Sequence, residues 1–405
     1  MKIITLDFET YYDRAYSLSK LTTEEYIRDE QFEVIGVSVQ EDDSSCSRNT
    51  WFSGTEKETR EFLEQFDWEN SLTVAHNAMF DMAILSWRFD IKPARIADTL
   101  SMARAIHGTQ VGGSLKALTE YYGIGKKGTE VLNALGKHRT DFSEEELDAY
   151  AGYCKNDTAI TYKLFKCLMA EGFPLVELKL IDLTLRMFTE PVLEVGSFLL
   201  ESHLEELKEK KAEWLGKAKV TREQIMSNPQ FAELLKEQGV VPPTKVSLTT
   251  GKETLAFAKT DEAFQALKEH ENPIVQILVS ARLGVKSTIE ETRTERFINI
   301  GNRGTLPIPL RYYAAHTGRW GGGDKVNMQK LPRGSILKNA MLAPHGYAFL
   351  DCDSSQIEAR TLAWLAEQDN LVGTFARGED VYKVMASSIY GKPESEITKD
   401  ERFIG

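Results

Sequence analysis

The stretch that decides the fold is IITLDFET at residues 3–10, a short apolar run that ends in acidic side chains. The run predicts a strand, and Asp7 and Glu9 lie two positions apart on it, so both carboxylates point to one face. Neighbouring carboxylates repel each other, and a strand leaving a core would not carry that pair without a cation between them. Taken alone, the motif also fits a solvated strand end.

Strand and helix patterns alternate around this stretch. Apolar runs predict two more strands, at 32–39 and 72–75. A capping box of Ser143 with Glu146 opens a long helix, whose apolar residues recur at steps of three and four. Because interleaved strands and helices pack in layers, residues 1–172 are predicted to form one α/β domain.

Two further motifs carry acidic residues. In AHNAMFD, residues 75–81, a strand runs into a polar turn and Asp81 opens a helix; an ordinary acid at a helix N-terminus is the alternative. In YCKND, residues 153–157, Tyr153 and Asp157 lie one helical turn apart and share a face. A tyrosine–aspartate hydrogen bond at a domain surface would explain that pair equally well.

Together the three motifs favour a metal site. A strand, a loop–helix junction and a helix each offer acid, and oxygen ligands of this kind suit Mg²⁺ or Mn²⁺. Two such ions about 4 Å apart can polarise a phosphodiester and stabilise both the attacking and the leaving oxygen.

The set LDFET, AHNAMFD and YCKND resembles the three exonuclease motifs of the DEDD family with a tyrosine in the third motif (DEDDy), the 3′→5′ proofreading nucleases. The resemblance implies a ribonuclease H-like fold and two Mg²⁺ ions, with Mn²⁺ as a possible substitute. It implies that Asp7, Glu9, Asp81 and Asp157 hold the metals and that Tyr153 orients the attacking water. Asn77 and Phe80 match the framework of the second motif and are expected to contact the DNA strand. The family also includes RNA-trimming nucleases, so these motifs leave the substrate open.

The character of the sequence changes after residue 172. Helical periodicity dominates 173–295, and a run of alternating Glu and Lys within 199–219 is typical of a solvated helix face. Strands are expected to return from about Arg296, and the apolar run at 348–353 predicts a strand that turns into a helix. The predicted order is an α/β domain, a mainly helical region and an α+β region at 296–405.

The string DSSQIEAR at residues 353–360 resembles motif A of family A (polymerase I-like) DNA polymerases, usually written DYSQIELR. By that resemblance 173–295 is a helical thumb and 296–405 is the start of the palm. Asp353 would be a catalytic, metal-binding carboxylate, and Gln356 and Glu358 would lie near the incoming nucleotide. Ser354 and Ala359 depart from the usual motif, and neither position supplies a ligand side chain.

Two other segments are similar to parts of the same family that contact the primer–template duplex. Arginine, lysine, asparagine and glutamine are the side chains expected at phosphates and in the minor groove. The DNA-contacting residues implied are Arg282, Lys286, Ser287, Thr288, Thr317, Arg319, Asn327 and Gln329.

The chain ends where the family's fingers helix (motif B) is expected to begin, and motif C would come later still. We therefore expect an incomplete palm that does not polymerise alone, an exposed apolar face, and a second chain supplying motifs B and C as a possible partner. The compact N-terminus suggests a phage-type enzyme. Two alternatives are a stand-alone exonuclease with a vestigial polymerase tail, and a non-catalytic DNA-binding half of a split polymerase.

Composition limits the remaining function classes. The 49 Lys and Arg against 61 Asp and Glu give a net charge of −12, which argues against coating nucleic acid by bulk charge. No run of 18 apolar residues exists, so no membrane span is predicted. The four cysteines, at positions 46, 154, 167 and 352, are scattered without a CxxC pair. That spacing favours a reducing, cytoplasmic setting, the host cytosol if the protein is viral.

Overall fold

The computed structural model describes residues 2–42, 47–128, 134–247 and 249–404. Cys46 lies outside these residues. The chain divides into two compact units, one up to Gly346 and one from Tyr347 onward. Within the described residues, no helix is both long and apolar enough to span a membrane.

A five-stranded mixed sheet forms the centre of the first 172 residues. Its order is β3-β2-β1-β4-β5, with β1 at the centre. The first strand is antiparallel to β2, with Leu6 opposite Val39, and parallel to β4, with Thr5 opposite Val74. The strands are β1 (Lys2–Thr10), β2 (Val34–Asp42), β3 (Ser47–Phe52), β4 (Ser71–Ala75) and β5 (Ile96–Asp98). The three strands expected from the sequence are confirmed; β3 and β5 were not predicted.

Six helices accompany this sheet in the described residues. The longest is opened by the expected capping box of Ser143 and Glu146, and its Leu164 and Leu168 are fully buried in the same core as Ile4 of β1. The helices are α1 (Thr23–Arg28), α2 (Glu56–Leu63), α3 (Met79–Phe89), α4 (Thr99–His107), α5 (Leu115–Tyr122) and α6 (Glu144–Ala170). Because α6 crosses β1, β2 and β3, side chains on its buried face reach the carboxyl end of β1.

Helices dominate the next part of the chain, up to Gly346, which has two small cores of its own. One core surrounds Phe231, and the other surrounds Phe297. The Glu–Lys run forms a helix in which Leu200 is the buried residue, as a solvated face requires. The helices are α7 (Leu175–Thr189), α8 (Ser197–Ala218), α9 (Arg222–Met226), α10 (Asn228–Glu237), α11 (Glu262–Ala266), α12 (Pro273–Lys286), α13 (Ile289–Arg303) and α14 (Ile336–Asn339). The short strands are β6 (Glu194–Val195), β7 (Thr244–Val246), β8 (Glu253–Leu255), β9 (Leu310–Arg311), β10 (Gly321–Gly322) and β11 (Met341–Leu342).

The expected return of strands at Arg296 is wrong. That residue lies inside α13, which buries Phe297 and Ile300 against the core and continues to Arg303. The spacing of these buried residues is helical, and the next strand is β9.

The second unit contains α15 (Ile357–Leu365), α16 (Asp369–Ala376), α17 (Val381–Tyr390) and α18 (Lys399–Ile404). The helix after motif A is confirmed. The strand expected at 348–353 is not formed, since a strand needs a pairing partner and residues 347–404 contain none. Apolar side chains here are exposed, Leu350 at 95% and Trp364 at 69%, as expected for the motif A region.

Candidate active site

Two carboxylates from β1 and one thiol from α6 form the centre of the site. Ligand atoms of Asp7, Glu9 and Cys154 lie within 4.8 Å of one another. The hydroxyl of Tyr150 donates a 2.7 Å hydrogen bond to Glu9 Oε2, and the thiol of Cys154 donates to the backbone oxygen of Asp7 at 3.3 Å. The structure therefore confirms that Asp7 and Glu9 share one face, which α6 covers.

The turn after β4 brings Asp81 to the same place. Its Oδ1 accepts a 3.1 Å hydrogen bond from the amide of Phe8, between the two acidic residues of β1. Asn77 in this turn has a φ of 66°, and Asp98 Oδ1 accepts from the backbone amides of Asn77 at 2.8 Å and Ala78 at 3.2 Å. A positive φ is uncommon for residues other than glycine. The two hydrogen bonds to Asp98 therefore stabilise the turn in this conformation.

Helix α6 supplies the tyrosine and the fourth acid. Tyr153 and Asp157 are both buried and lie one turn apart on the helix. Burial, then the charge of Asp157, raises the pKa of Tyr153. Lys127 forms an ion pair with Asp157 Oδ2, and its ammonium lies 5.2 Å from the centre of the Tyr153 ring. All four predicted carboxylates therefore come together, with one lysine among them.

Burial and mutual repulsion disfavour the ionised form of the carboxylates in this site. Burial, then the charge of Asp157, raises the pKa of Asp7 to about 7. Burial, then Asp7, raises the pKa of Glu9 to about 8, and the same two causes raise the pKa of Asp81 well above its ordinary value. A positive charge would stabilise the ionised form of these carboxylates. Because the potential ligand atoms are mainly carboxylate oxygens, a divalent cation such as Mg²⁺ fits these residues.

A pocket of about 370 Å³ opens beside Glu9. Phe80 and Tyr26 form apolar parts of its wall, and Leu18 lies on the loop that follows β1. Apolar side chains next to a carboxylate cluster are suited to hold a nucleobase while its phosphate faces the acids.

Three residues next to the carboxylates were not found from the sequence, and neither were Asp98 at the turn or Leu18 and Tyr26 of the pocket. Tyr150 and Cys154 fall on the apolar stripe of α6 and read as core positions. Lys127 precedes Asp157 by 30 positions in a Gly-rich stretch, and no spacing rule links the two. The available signal in the sequence was the presence of a tyrosine and a cysteine, both able to form hydrogen bonds, on the buried face of α6.

The structure contradicts the predicted phosphate contact of Arg282. Its side chain is fully buried, and its guanidinium lies over the Phe231 ring at 4.6 Å and the Phe257 ring at 5.1 Å. It donates to the backbone oxygen of Ile225 and to Asn228 Oδ1, and burial lowers its pKa to about 10. Arg282 therefore organises the core of this helical part and presents no surface to DNA.

The other predicted duplex contacts lie at or near the surface. Lys286 and Ser287 end α12 and are exposed, with Thr288 half-buried beside them. Thr317 and Arg319 are exposed in the turn between β9 and β10. Asn327 Oδ1 accepts from the amide of Gln329, whose side chain donates to the Trp320 carbonyl at 3.1 Å. Their accessibility allows DNA contact, which stays a prediction.

In the second unit Asp353 is exposed in an irregular stretch. Gln356, with a φ of 56°, precedes α15, and Glu358 is exposed in its first turn. Within the described residues, the group of side chains that could hold a metal ion is the one around Asp7. The polymerase roles of Asp353, Gln356 and Glu358 therefore stay predictions.

Comparison with protein families separates the chain into two matched parts. Residues 6–172 match the family described as 3′-5′ exonuclease, and residues 193–405 match DNA polymerase family A. Exonuclease and polymerase domains of these families generally use divalent metal ions. The exonuclease match contains the whole carboxylate cluster.

The relatives matched are bacterial. DNA polymerase I of Pseudomonas aeruginosa is 26% identical over 323 residues, which is 75% of this chain and 34% of the relative. DNA polymerase I of Chloroflexus aurantiacus is 25% identical over 356 residues, 82% of this chain and 36% of the relative. The chain thus spans about a third of the length of these relatives.

A solved structure has the same fold. It is the POL domain of Pol1 from M. smegmatis in complex with DNA primer–template and dNTP, with a TM-score of 0.63 and 18% identity. The match covers 99% of this chain and 65% of that one. Since the polymerase family model alone matches more than half of the residues, the chain belongs to DNA polymerase family A.

Proposed function

We propose that this chain is a DEDDy-type 3′→5′ exonuclease that removes nucleotides from DNA 3′ ends, within a family A DNA polymerase. The observation that carries the proposal is the meeting of Asp7, Glu9, Asp81 and Asp157 at the end of β1, where their charges repel one another. Tyr153 lies one helical turn from Asp157. The half-buried Asp7 and the buried Glu9, Asp81 and Asp157 repel each other. A metal-dependent phosphodiester hydrolysis is the chemistry that uses such a set.

The four carboxylates would hold two Mg²⁺ ions, and Mn²⁺ is a possible substitute. Bound divalent ions would polarise the phosphate and lower the pKa of water. Tyr153 would orient the attacking water through its hydroxyl, and Phe80 and Leu18 would hold the terminal base in the pocket beside Glu9. The water oxygen bonds to phosphorus, and the bond from phosphorus to the 3′ oxygen of the preceding nucleotide breaks. A nucleoside monophosphate leaves, and the strand keeps a 3′ hydroxyl.

DNA is proposed as the substrate because the same chain continues into a DNA polymerase family match at residues 193–405. The test compares 5′-labelled DNA and RNA single strands with Mg²⁺ on a denaturing gel. We expect stepwise shortening of DNA from the 3′ end, which stops when EDTA is added. Shortening of RNA alone would refute the substrate assignment, and shortening of neither strand would refute the exonuclease itself.

Polymerisation is proposed for the whole protein and not for these 405 residues alone. By resemblance they carry motif A, with Asp353, and a two-metal nucleotidyl transfer needs a second palm carboxylate. A second chain that supplies motifs B and C remains a proposed partner. Leu350 and Trp364 are exposed, and apolar side chains of this size are usually covered by another surface. Sedimentation of the pure chain as a non-associating monomer would count against an uncovered apolar face. Phage origin and a cytoplasmic location stay predictions from sequence.

A further inference from the structure

Residues of the polymerase-family part reach the loop that forms one wall of the pocket beside Glu9. The loop is defined as residues 17–23, which lead from the end of the β1–α1 connection into the first residue of α1. It places Ser17, Leu18 and Ser19 on the pocket surface. The contacting residues are Asp324 and Lys325, which follow β10. The turn that carries them follows three glycines at 321–323, and the exonuclease chemistry does not use it.

The side chain of Lys325 contacts backbone carbonyl oxygens of the loop. Its Nζ donates to the carbonyl oxygens of Ser19 and Leu21, each at 3.0 Å, and lies 3.5 Å from that of Leu18. Three converging carbonyls satisfy the three donors of an ammonium group.

Asp324 binds the other end of the loop. Its Oδ1 accepts from the amide of Thr23 at 2.7 Å and from the Thr23 hydroxyl at 3.0 Å, at the first residue of α1. Asp324 and Lys325 have φ values of 51° and 59°, a conformation that non-glycine residues adopt uncommonly. Arg296 holds this strained pair in place by donating to the Lys325 carbonyl at 2.9 Å.

A second ion pair fixes the helix behind the loop. Arg303, at the end of α13, donates from Nε to Glu24 Oε1 at 2.8 Å and from Nη2 to Glu24 Oε2 at 2.5 Å. Glu24 is buried, whereas the Arg303 side chain is 30% exposed, so this bidentate contact lies at the edge of the core. Arg303 thus holds α1, while Asp324 and Lys325 contact the loop that precedes it.

We propose that Lys325 and Asp324 are positioning residues of the exonuclease pocket: they hold the 17–23 loop so that Leu18 forms the wall against the terminal nucleotide. The inference rests on the proposed exonuclease function. It makes hydrolysis depend on two residues of the polymerase-family part, which lie between the predicted duplex contacts Arg319 and Asn327.

The first test measures the loop without reference to activity. Amide hydrogen exchange of peptides covering residues 17–23 is compared in the full chain for wild type, Lys325→Met and Asp324→Ala. We expect at least about 10-fold faster exchange in both variants, since each loses its hydrogen bonds to the loop. Asp324→Asn, whose amide oxygen still accepts from Thr23, should stay near wild type. Lys268→Met, an exposed lysine of the helical part, is the matched control. Unchanged exchange in Lys325→Met would overturn the inference.

The second test separates a pocket wall from a phosphate contact. For single-stranded DNA, Lys325→Met should raise KM about 10-fold while kcat changes little, because the carboxylates are untouched. The Kd for duplex primer–template should not change. Weaker duplex binding together with the raised KM, or an unchanged KM despite faster loop exchange, would overturn the inference. An inactive wild type would refute the proposed function, and the exchange experiment would still test the anchoring of the loop.

Discussion

The hydroxyl of Tyr150 donates a hydrogen bond of 2.7 Å to Glu9 Oε2, joining two residues that are 141 positions apart. It links α6 to β1 at the point where the carboxylates meet, one turn before Tyr153. A neutral donor beside a buried carboxylate favours its charged form and fixes the direction of its free lone pairs. Tyr150 is therefore expected to orient Glu9 toward a bound cation.

Tyr150→Phe should weaken divalent-metal binding by about 10-fold, as is typical when the partner of a metal-ligating side chain is lost. Mn²⁺ titration by calorimetry checks this. Tyr162→Phe, on the same helix, is the control and should bind Mn²⁺ like wild type. Equal affinity in Tyr150→Phe would show that the hydrogen bond does not orient Glu9.

Tyr153→Phe should leave Mn²⁺ affinity intact and lower kcat for hydrolysis of single-stranded DNA by about 100-fold, because only the orientation of the water is lost. Single-turnover kinetics with saturating metal measure this effect. A variant that loses Mn²⁺ affinity instead would make Tyr153 a residue of the metal site and contradict its assigned role.

Lys127→Met should destabilise the metal-free protein by about 2 kcal/mol, since Asp157 then loses its buried ion-pair partner. Urea unfolding in EDTA gives the value, and adding Mn²⁺ should restore much of the lost stability. Lys126→Met, an exposed neighbour, serves as the matched control. If both variants unfold like wild type in EDTA, Lys127 does not compensate the carboxylates.

Stability of the metal-free protein should fall as the pH rises from about 4 to about 8. Asp7 and Glu9 have folded-state pKa values of about 7 and about 8, above their ordinary values of 3.8 and 4.5. The folded state therefore binds more protons than the unfolded state, and that advantage disappears as the pH passes through the folded-state values. Melting temperatures in EDTA across this range check the sign. A flat profile, or one that rises with pH, would mean that these two carboxylates are not in a buried, repelling cluster.

Sequence reasoning placed the acids correctly because strand and helix periodicity decide which side chains share a face. Tertiary information was not needed to predict that Asp7 and Glu9, two apart on β1, share one face. The same holds for Tyr153 and Asp157, four apart on α6. Their meeting with Asp81 was inferred from chemistry, and the structure confirms the geometry.

Properties that depend on tertiary contacts were not predictable in this way. Arg282 reads as a surface cation, but two aromatic rings and the acceptors around it make its burial possible. The strand at 348–353 has the right side chains but no partner strand in its unit. The contacts of Lys325 and Lys127 join segments that are remote in sequence, and no periodic pattern records them.

The central claim is tested most directly with a 5′-labelled primer–template that carries a 3′ mismatch, Mg²⁺ and all four deoxynucleotides, resolved on a denaturing gel. We expect the wild-type chain to shorten the primer without extending it. Asp7→Ala should be at least about 1,000-fold slower, because a ligand shared by the metals is lost. Asp148→Asn, an exposed acid on α6, should match wild type. Hydrolysis by Asp7→Ala at the wild-type rate would contradict the site assignment, and steady primer extension would contradict the expectation that these residues do not polymerise alone.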